Sequence, residues 1–241
     1  MVRADPEPNP RGSDPEEHAR IRRLYEATYR EERYRRRWSG PGPHLIHRGK
    51  WEALRPLLRS LGLPRADALV LDLGAGGGID CVEMDRLGWP LSGIVALDLV
   101  APDLRAARRQ QPGLPAAVAD ATQLPIGDAR VDLVFQSTMI SSVLDASRRS
   151  AIYAESARVL KPGGAFVSYD TRYPNPWNRN TRPVSAAELR GAFPGWSLRL
   201  ESVTLLPPLV RRLAPISERL CGACERLPFL RSHWIACAVK P

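Results

Sequence analysis

The chain has 241 residues and a formal net charge of +9, with 35 lysine and arginine residues against 26 acidic ones. This length is enough for one α/β domain, and no apolar run reaches the roughly 18 residues that a membrane-spanning helix needs. The positive excess belongs to the last third of the chain, since residues 171–241 hold 11 basic residues and four acidic ones. Only Lys50, Lys161 and Lys240 are lysines, and this arginine bias weakens the inference from charge to a nucleic-acid partner.

The chain opens on a polar, proline-rich stretch rather than on a charged segment followed by an apolar one, so we expect a soluble, cytoplasmic protein. A cytosolic protein keeps its cysteines reduced, and we therefore expect no disulfide framework. Cys221 and Cys224 form a single C-x-x-C within a predicted helix. Because the second pair of a zinc ribbon is missing, we expect these cysteines to pack in the core and predict no metal site.

The N-terminal part of the chain predicts helices. Residues 1–14 lack apolar periodicity and should form a disordered tail. From Pro15 to Trp38 the apolar residues recur at helical spacing, which indicates an amphipathic helix that Ser39–Pro43 ends. A second helix is predicted over His47–Leu61.

The most informative stretch joins a buried strand to a glycine-rich turn and a helix. The apolar run Ala68–Leu73 is typical of a strand that is covered on both faces. Gly74, Gly76 and Gly78 follow, and residues without a Cβ let the backbone turn sharply and let a ligand approach it. The helix predicted over Gly78–Leu87 offers free N–H groups in its first turn. This pattern indicates a nucleotide-type cofactor, and its G-x-G-x-G spacing differs from the G-x-G-x-x-G of dinucleotide folds.

Three further strands are predicted at Gly93–Asp98, Ala116–Ala119 and Val131–Gln136. Asp98 ends the first of them and can accept two hydroxyl hydrogen bonds from one ribose, although an aspartate before a helix can equally be an N-cap. Asp120 follows the second and can accept an adenine amino proton or serve as a turn aspartate.

The remaining predicted elements alternate helices and strands. The helices are expected at residues 102–110, 146–160, 185–193 and 209–227, and the strands at 164–170, 196–205 and 233–240. Polar and aromatic residues are dense from Tyr169 to Asn178, directly after a strand. Ligands of open α/β sheets bind at the carboxyl ends of the strands, so this segment is expected near the site.

In order and spacing, these segments resemble the class I S-adenosylmethionine-dependent methyltransferases over about Leu61 to Asp170. The matching stretches are Asp72–Asp80 for the first motif, Ile94–Asp98 for the second strand, Asp120-Ala121 for the adenine pair, Val131–Gln136 for the fourth strand and Arg158–Gly164 for the turn before the fifth. The resemblance implies an α/β fold: a doubly wound, seven-stranded Rossmann-like sheet with helices on both faces and an antiparallel last strand.

The same resemblance implies a single domain over residues 15–241. Residues 15–62 would form a helical lid, 66–170 the cofactor-binding half and 171–241 the acceptor side. For the first helix, a solvated helix that packs its apolar stripe on the domain is a compatible alternative to a lid over the cofactor.

The resemblance also implies which residues bind the cofactor, S-adenosylmethionine. They are Asp72, Gly74, Ala75, Gly76, Gly78, Asp98, Leu99, Asp120, Ala121 and Gln136. Arg48 joins them because folds of this kind often draw a basic residue from this region to the cofactor carboxylate, which suits a bidentate arginine. A surface salt bridge is the alternative for Arg48.

For the acceptor, fold topology suggests that the ends of strands four and five converge. The residues expected there are Gln136, Tyr169, Asp170, Arg172, Asn175 and Asn178. Tyr169, Asp170 and Arg172 are the predicted catalytic residues, with Asp170 as general base because no histidine lies on a strand end facing this edge. Alternatively, Asp170 and Arg172 pair and cap the loop.

We therefore expect a methyltransferase for a small-molecule acceptor, a hydroxyl or amine of a sugar, glycan or natural product. Arg172 and the C-terminal arginines favour an acceptor with phosphate or carboxylate. The charge leaves RNA as an alternative, but Gln136–Met139 stands where a base-holding Asn/Asp-Pro-Pro-Tyr motif would be. A third alternative is a cofactor-binding or membrane-surface protein without turnover, drawing on the arginine-rich helix after Leu206; the intact cofactor motif argues against lost activity.

Overall fold

The computed structural model describes residues 15–25, 39–176 and 178–241. The predicted tail over residues 1–14 and the second half of the first predicted helix, residues 26–38, lie outside the described residues. The expectations for those segments therefore stay predictions.

Seven strands of the described residues form one sheet. They are β1 (Val70–Leu73), β2 (Ile94–Asp98), β3 (Ala116–Val118), β4 (Val131–Ser137), β5 (Leu160–Thr171), β6 (Ser197–Leu205) and β7 (Arg231–Val239). Their order is β3-β2-β1-β4-β5-β7-β6, and β7 runs antiparallel to both of its neighbours while the other pairs are parallel. The predicted doubly wound sheet with an antiparallel last strand is confirmed, and the strand order reverses between β1 and β4, where ligands of such sheets bind.

The helices of the described residues lie between these strands and before them. They are α1 (Pro15–Arg23), α2 (Pro41–Ser60), α3 (Ile79–Arg86), α4 (Ala101–Gln110), α5 (Ala146–Val159), α6 (Ala186–Ala192), α7 (Pro207–Leu213) and α8 (Glu218–Glu225). Short 3-10 turns occur at Ile140–Ser142 and Pro228–Leu230, among others.

The helices cover both faces of the sheet. On one face, α2 and α3 bury Trp51 and Met84 against strand residues such as Leu133. On the other face, α5 buries Ile152 against Phe166. We call these the α2 face and the α5 face. Because side chains alternate along a strand, consecutive residues of one strand belong to different faces.

Two helix boundaries differ from the predictions, both at prolines. Helix α2 begins at Pro41, inside the segment expected to break a helix, because proline suits a first turn whose N–H groups have no helical partner. The single helix predicted over residues 209–227 is two helices, α7 and α8. Pro215 lies between them, and the Ser217 side chain caps α8 by accepting a hydrogen bond from the Leu220 N–H.

Candidate functional site

The glycine turn after β1 is open at one position and closely packed at two. Gly74, Gly76 and Gly78 have φ angles of 70°, 51° and 76°, the left-handed region that side chains disfavour. A Cβ on Gly74 would collide with the Met139 side chain, and one on Gly78 would lie 2.8 Å from Ala107 Cβ. A Cβ on Gly76 would meet nothing within 4 Å. Gly76 is therefore the place where a ligand can approach the backbone.

The end of β2 holds this turn in place. The Gly74 and Ala75 N–H groups donate to the Leu97 carbonyl at 2.8 and 3.1 Å. The Asp98 carboxylate accepts from the Gly76 N–H and the Val100 N–H, each at 2.8 Å. Burial raises the pKa of Asp98 above its usual value. Its oxygens have further lone pairs that could accept hydroxyl groups.

Asp120, beyond β3, lies at a junction of three elements. Its carboxylate accepts from the Thr122 N–H and from Arg148 Nη2, each at 2.9 Å. One carboxylate oxygen also lies 2.8 Å from His18 Nε2, which contacts Arg148 Nη2 as well. Burial alone would raise the pKa of Asp120, but these hydrogen bonds and charges hold it below its usual value. Arg148 Nη1 is buried and has no hydrogen-bond partner among the described residues. Asp120 and Arg148 thus offer both an acceptor and a donor at this edge.

Helix α1 lies across the same edge. Besides His18, it contributes Glu17, which accepts from the Leu144 N–H at 3.0 Å, and Arg20, which donates to the Ser142 carbonyl at 2.6 Å. Ile21 and Leu24 on the same helix are buried. These contacts join α1 to the loop after β3 and to the loop after β4.

Asp72 lies beneath the glycine turn. Its side chain is 2% exposed and accepts a hydrogen bond from the Cys81 thiol at 3.3 Å. Burial, with the neighbouring charge of Asp80, raises the pKa of Asp72 to about 8. With a pKa near 8, the Asp72 carboxyl group titrates close to neutral pH. It stabilises the turn through its hydrogen bond with Cys81 on α3, and it can also accept from a bound ammonium group.

Gln136 and Asp170 form a buried pair on the α5 face. Gln136 Nε2 donates to Asp170 Oδ2 at 3.3 Å and also contacts Ser168 Oγ. The Gln136 amide oxygen accepts from the Met139 N–H at 3.0 Å, and Asp170 Oδ2 accepts from the Ser141 N–H at 3.1 Å. Burial raises the pKa of Asp170, although these hydrogen bonds oppose the shift. The pair holds the loop that follows β4.

Tyr169 lies on the opposite face from Asp170. Its hydroxyl is 2.8 Å from Thr204 Oγ1, and its ring stacks on His233 with centroids 4.6 Å apart and planes at 7°. Burial raises the pKa of the Tyr169 hydroxyl. Burial and the charge of Lys50 lower the pKa of His233 to about 3, so its imidazole is neutral.

Lys50 is the basic residue of α2 that reaches this face. Its side chain is almost fully buried, with Nζ 2.5 Å from Asp80 Oδ1 and 3.1 Å from Ser137 Oγ. Trp51 Nε1 also donates to Asp80 Oδ1, at 3.0 Å. We call Lys50, Ser137, Tyr169 and His233 the α2-face polar cluster. Sequence analysis missed Lys50 and His233; the rarity of lysine in this arginine-rich chain was the available indication for Lys50.

Several predicted residues lie away from this cluster. Arg48 is half exposed and pairs with Glu218 at 2.5 Å and with Glu52 at 3.6 Å. The Arg172 guanidinium stacks between the rings of Tyr173 and Trp234, 4.6 and 4.3 Å from their centroids, and donates to the Pro228 carbonyl. Asn178 accepts from the Asn180 N–H within its own loop.

The expected convergence of six residues on one acceptor is therefore not observed. Gln136 and Asp170 share the α5 face, Tyr169 lies on the α2 face, and Arg172 packs outside both. The alternation of side chains along β5 separates Tyr169 from Asp170.

A small cavity lies behind Thr204, with room for about 10 Å3. Its lining is Leu45, Ile46, Gly49, Thr204, Leu205, Val210, Cys221 and Glu225. A volume of this size holds one water molecule at most.

Comparison with known proteins supports the fold and the cofactor chemistry suggested by the sequence. A family described as "Methyltransferase domain" matches residues 71–168, which run from β1 into β5. This part of the chain is similar to a methyltransferase domain, and the fold is that of S-adenosylmethionine-dependent methyltransferases. The residues present fit the cofactor of that family, because Gly76 leaves an open cradle and Arg148 Nη1 is a buried donor without a partner.

Similar proteins agree with this family. A malonyl-[acyl-carrier protein] O-methyltransferase of Xylella fastidiosa is 32% identical over 121 residues, which is 48% of this chain and 40% of the relative. A demethylmenaquinone methyltransferase of Streptomyces avermitilis is 32% identical over 105 residues, 44% of this chain and 43% of the relative. The chain thus spans less than half the length of these relatives.

Solved structures resemble the chain over a longer range. One comes from the complex between the Haloferax volcanii Trm112 methyltransferase activator and a methyltransferase; it covers 92% of this chain and 97% of its own, with a TM-score of 0.61 and 20% identity. An S-adenosylmethionine-dependent methyltransferase from Mesorhizobium loti covers 77% of this chain and 96% of its own, with a TM-score of 0.56 and 19% identity. At such identities the likeness establishes the fold.

Two further findings concern the described residues. None of their helices is both long and apolar enough to cross a membrane. Within the same ranges, no group of three or more His, Cys, Asp or Glu side chains is arranged to hold a metal ion.

The glycine turn yields the first testable prediction. Gly76→Arg should abolish S-adenosylmethionine binding while the protein stays folded, because the side chain would fill the open cradle. Gly76→Ala should cost about 1–2 kcal/mol of stability through backbone strain alone. Gly74→Ala carries the same strain and adds the collision with Met139, so its melting temperature should be lower than that of Gly76→Ala. Calorimetry and thermal melting test this, and Gly76→Arg with wild-type affinity would contradict it.

The second prediction concerns Asp72 and pH. The unfolded chain releases the Asp72 proton near pH 4 and the folded chain near pH 8, so the folded state binds more protons between these values. The Asp72 contribution to stability therefore falls as the pH rises from about 4 to about 8. Asp72→Asn should remove that dependence. The melting temperature of the variant relative to that of the wild type should therefore rise as the pH is raised from about 4 to about 8. A difference that does not vary with pH would show that the Asp72 pKa is not raised.

Proposed function

We propose that this chain transfers the methyl group of S-adenosylmethionine to a hydroxyl or amine of a small-molecule acceptor such as a sugar, glycan or natural product. The observation that carries the proposal is the α2-face polar cluster, which Asp80 connects to the glycine turn. Its hydroxyl and imidazole groups suit a polar acceptor that needs orientation by hydrogen bonds. When bound, the cofactor would supply a methyl group on a positively charged sulfur. The methyl carbon would be the electrophile for an acceptor lone pair placed in line with the carbon–sulfur bond, and the cofactor would leave as its neutral thioether.

The cofactor would be held by residues on both sides of the switch point. We assign the cradle to Gly76, the ribose hydroxyls to Asp98 and the adenine amino group to Asp120. Gly74, Ala75 and Gly78 shape the turn, with Leu99 and Ala121 beside the two aspartates. Asp72 and Gln136 support the turn and the loop after β4. Helix α1 would act as the lid, since its contacts span the loops at this edge.

Lys50 is a better candidate than Arg48 for the cofactor carboxylate. Both residues are on α2, but Lys50 is buried beside Asp80 at the start of α3, directly after the glycine turn. Arg48 is half exposed and forms an ion pair with Glu218. A buried ammonium group in this position can exchange part of its bonding from Asp80 to an incoming carboxylate.

A matched pair of variants tests this assignment. Lys50→Met should weaken S-adenosylmethionine binding by about 10- to 150-fold, because a hydrogen bond to a charged group contributes about 1.5–3 kcal/mol. Arg48→Met should leave the affinity unchanged. Because Lys50→Met leaves Asp80 buried without its partner, the double variant Lys50→Met/Asp80→Asn controls for lost stability. Wild-type affinity in that double variant would refute the assignment.

His233 can orient the acceptor. The Ser232 hydroxyl donates to the Thr204 carbonyl at 3.1 Å, so its oxygen accepts from His233 Nδ1–H at 2.8 Å. That tautomer leaves Nε2 as an acceptor for an O–H or N–H of the substrate. With a pKa of about 3, the imidazole positions the acceptor lone pair and is not the final base, so the proton that the methylated acceptor releases would pass to solvent.

The predicted catalytic residues then divide between two tasks. Tyr169 supports the His233 ring and stays on the acceptor face. The Asp170 carboxylate accepts from the Gln136 side chain and from the backbone N–H groups of Ser141 and Thr171. We therefore propose that Asp170 positions the loop after β4 rather than accepting a proton. Arg172 lies outside the cluster and has no part in this scheme.

Turnover of His233→Phe tests the role of the imidazole. Phenylalanine keeps the stack on Tyr169 but removes Nε2, so turnover should fall about 100-fold while cofactor affinity stays at the wild-type value. Since His233 is neutral above about pH 4, wild-type turnover should show no step from this residue between pH 5 and 8. Unchanged turnover in His233→Phe would remove His233 from the site.

The activity itself is tested with methyl-labelled S-adenosylmethionine and fractionated extract of the source cells. The proposal expects label in a small polar product, and none when Gly76→Arg replaces the wild type. Label found only in RNA or protein fractions would refute a small-molecule acceptor.

A further inference from the structure

Large apolar side chains are exposed on α8 and on the segments that flank it. Ile216, Leu220, Leu227 and Phe229 are 76%, 43%, 45% and 64% exposed, and we call these four the apolar ridge. Leu220 lies on α8, Ile216 precedes the helix, and Leu227 follows it. Phe229 lies in the next turn, Pro228–Leu230.

Arginines follow the ridge at the same spacing. Arg219 and Arg226 each precede a ridge leucine by one residue and are exposed, as is Arg212 at the end of α7. No carboxylate of the described residues lies within ion-pair distance of Arg219 or Arg226. Exposed cationic side chains therefore neighbour the apolar ridge in the chain, on α8 and on both of its flanks.

The acidic residues of α8 have partners on other elements. Glu218 forms a surface ion pair with Arg48 on α2, and the half-buried Glu225 accepts from the Thr204 N–H at 2.8 Å. Cys221, between them, is buried against α7 and β6. Both negative charges of this short helix are thus engaged by the rest of the fold, whereas Leu220 and Arg219 are exposed.

We propose that the outer side of α8 docks on an anionic lipid surface. Large apolar side chains with adjacent arginines are the chemistry that such a surface accepts: the apolar groups enter the boundary between headgroups and acyl chains, and the arginines bind lipid phosphates. Four separate ridge side chains are fewer than a stable protein interface of about 20 residues a side requires. A fluid surface needs no matching shape, so a small ridge suffices.

The docked helix would lie one layer from the acceptor cluster. The inner side of α8 reaches the Thr204 backbone through Glu225, and the Thr204 side chain bonds the Tyr169 hydroxyl. Docking would therefore bring the acceptor site close to molecules dissolved in the membrane. This last step rests on the proposed function, whereas docking itself does not.

Liposome flotation of the whole chain tests the proposal, using vesicles of phosphatidylcholine alone and of phosphatidylcholine with phosphatidylglycerol. The wild type should float only with the anionic vesicles, and less so as salt is raised. Arg219→Gln/Arg226→Gln should weaken binding about fivefold for each arginine. Leu220→Ser/Leu227→Ser should weaken it as well. Arg105→Gln/Arg109→Gln, the same change of charge on exposed positions of α4, should float like the wild type.

Thermal melting and S-adenosylmethionine binding show which variants fold, and Phe229→Ser repeats the apolar test outside the helix. The proposal is overturned if the wild type does not float, or if the α4 control loses as much binding as the α8 variants. It is also overturned if an RNA oligonucleotide binds through the arginines with no effect of the apolar variants, or if sedimentation shows a dimer that those variants dissociate. Loss of methyl transfer with normal flotation would refute the proposed function and leave docking intact.

Discussion

The buried pair of Lys50 and Asp80 is the interaction on which the geometry of the site depends. It joins α2, which precedes the sheet in the chain, to the first turn of α3, which follows the glycine turn, and Ser137 adds the end of β4. Removing one partner of such a pair leaves an uncompensated charge in the interior, at a cost of about 3–5 kcal/mol. Together with the buried apolar residues of α2, the pair holds this helix over the strand ends and places Lys50 beside Ser137, Tyr169 and His233.

The alternation of side chains along β5 places two different polar groups on the two faces of the sheet. Tyr169 joins Lys50 and His233 on one face, while Asp170 joins Gln136 on the other and anchors the loop after β4. Both groups are buried, but they are buried for different reasons. The Asp170 group satisfies backbone N–H groups of the loop, whereas the Tyr169 group leaves the imidazole Nε2 of His233 as an acceptor.

The sequence predicted the sheet and the glycine turn because both depend on patterns of residues that are close together in the chain. An apolar run before G-x-G-x-G specifies a buried strand and a tight turn within about ten residues, and the order of such segments restricts the topology. Sequence analysis named Arg48 on α2, whereas Lys50 is the basic residue of that helix that is buried beside Asp80. Arg48 and Lys50 are two residues apart, about 200° around a helix, and only the packing of α2 on the sheet decides which one is buried. The expected convergence at β5 overlooked that alternation along a strand places Tyr169 and Asp170 on opposite faces. His233 begins the last strand, and in an antiparallel neighbour of β5 that start lies opposite Thr171, at the carboxyl edge.

The contacts of Asp120 join helix α1 to this edge of the sheet and are compatible with the proposed adenine site. A carboxylate has about four lone-pair sites; here one oxygen accepts from the Thr122 N–H, and the other accepts from Arg148 and lies 2.8 Å from His18 Nε2. Under the proposed assignment, an adenine amino group would take a remaining site while α1 stays in place. The buried Arg148 Nη1 would supply a donor nearby. Hydrogen bonds from Thr122, with the charge of Arg148, hold the pKa of Asp120 below its usual value despite burial, and this favours the ionised, accepting carboxylate. What binds at this edge is thus set mainly by α5 and the loop after β3, while α1 adds cover through Glu17 and Arg20.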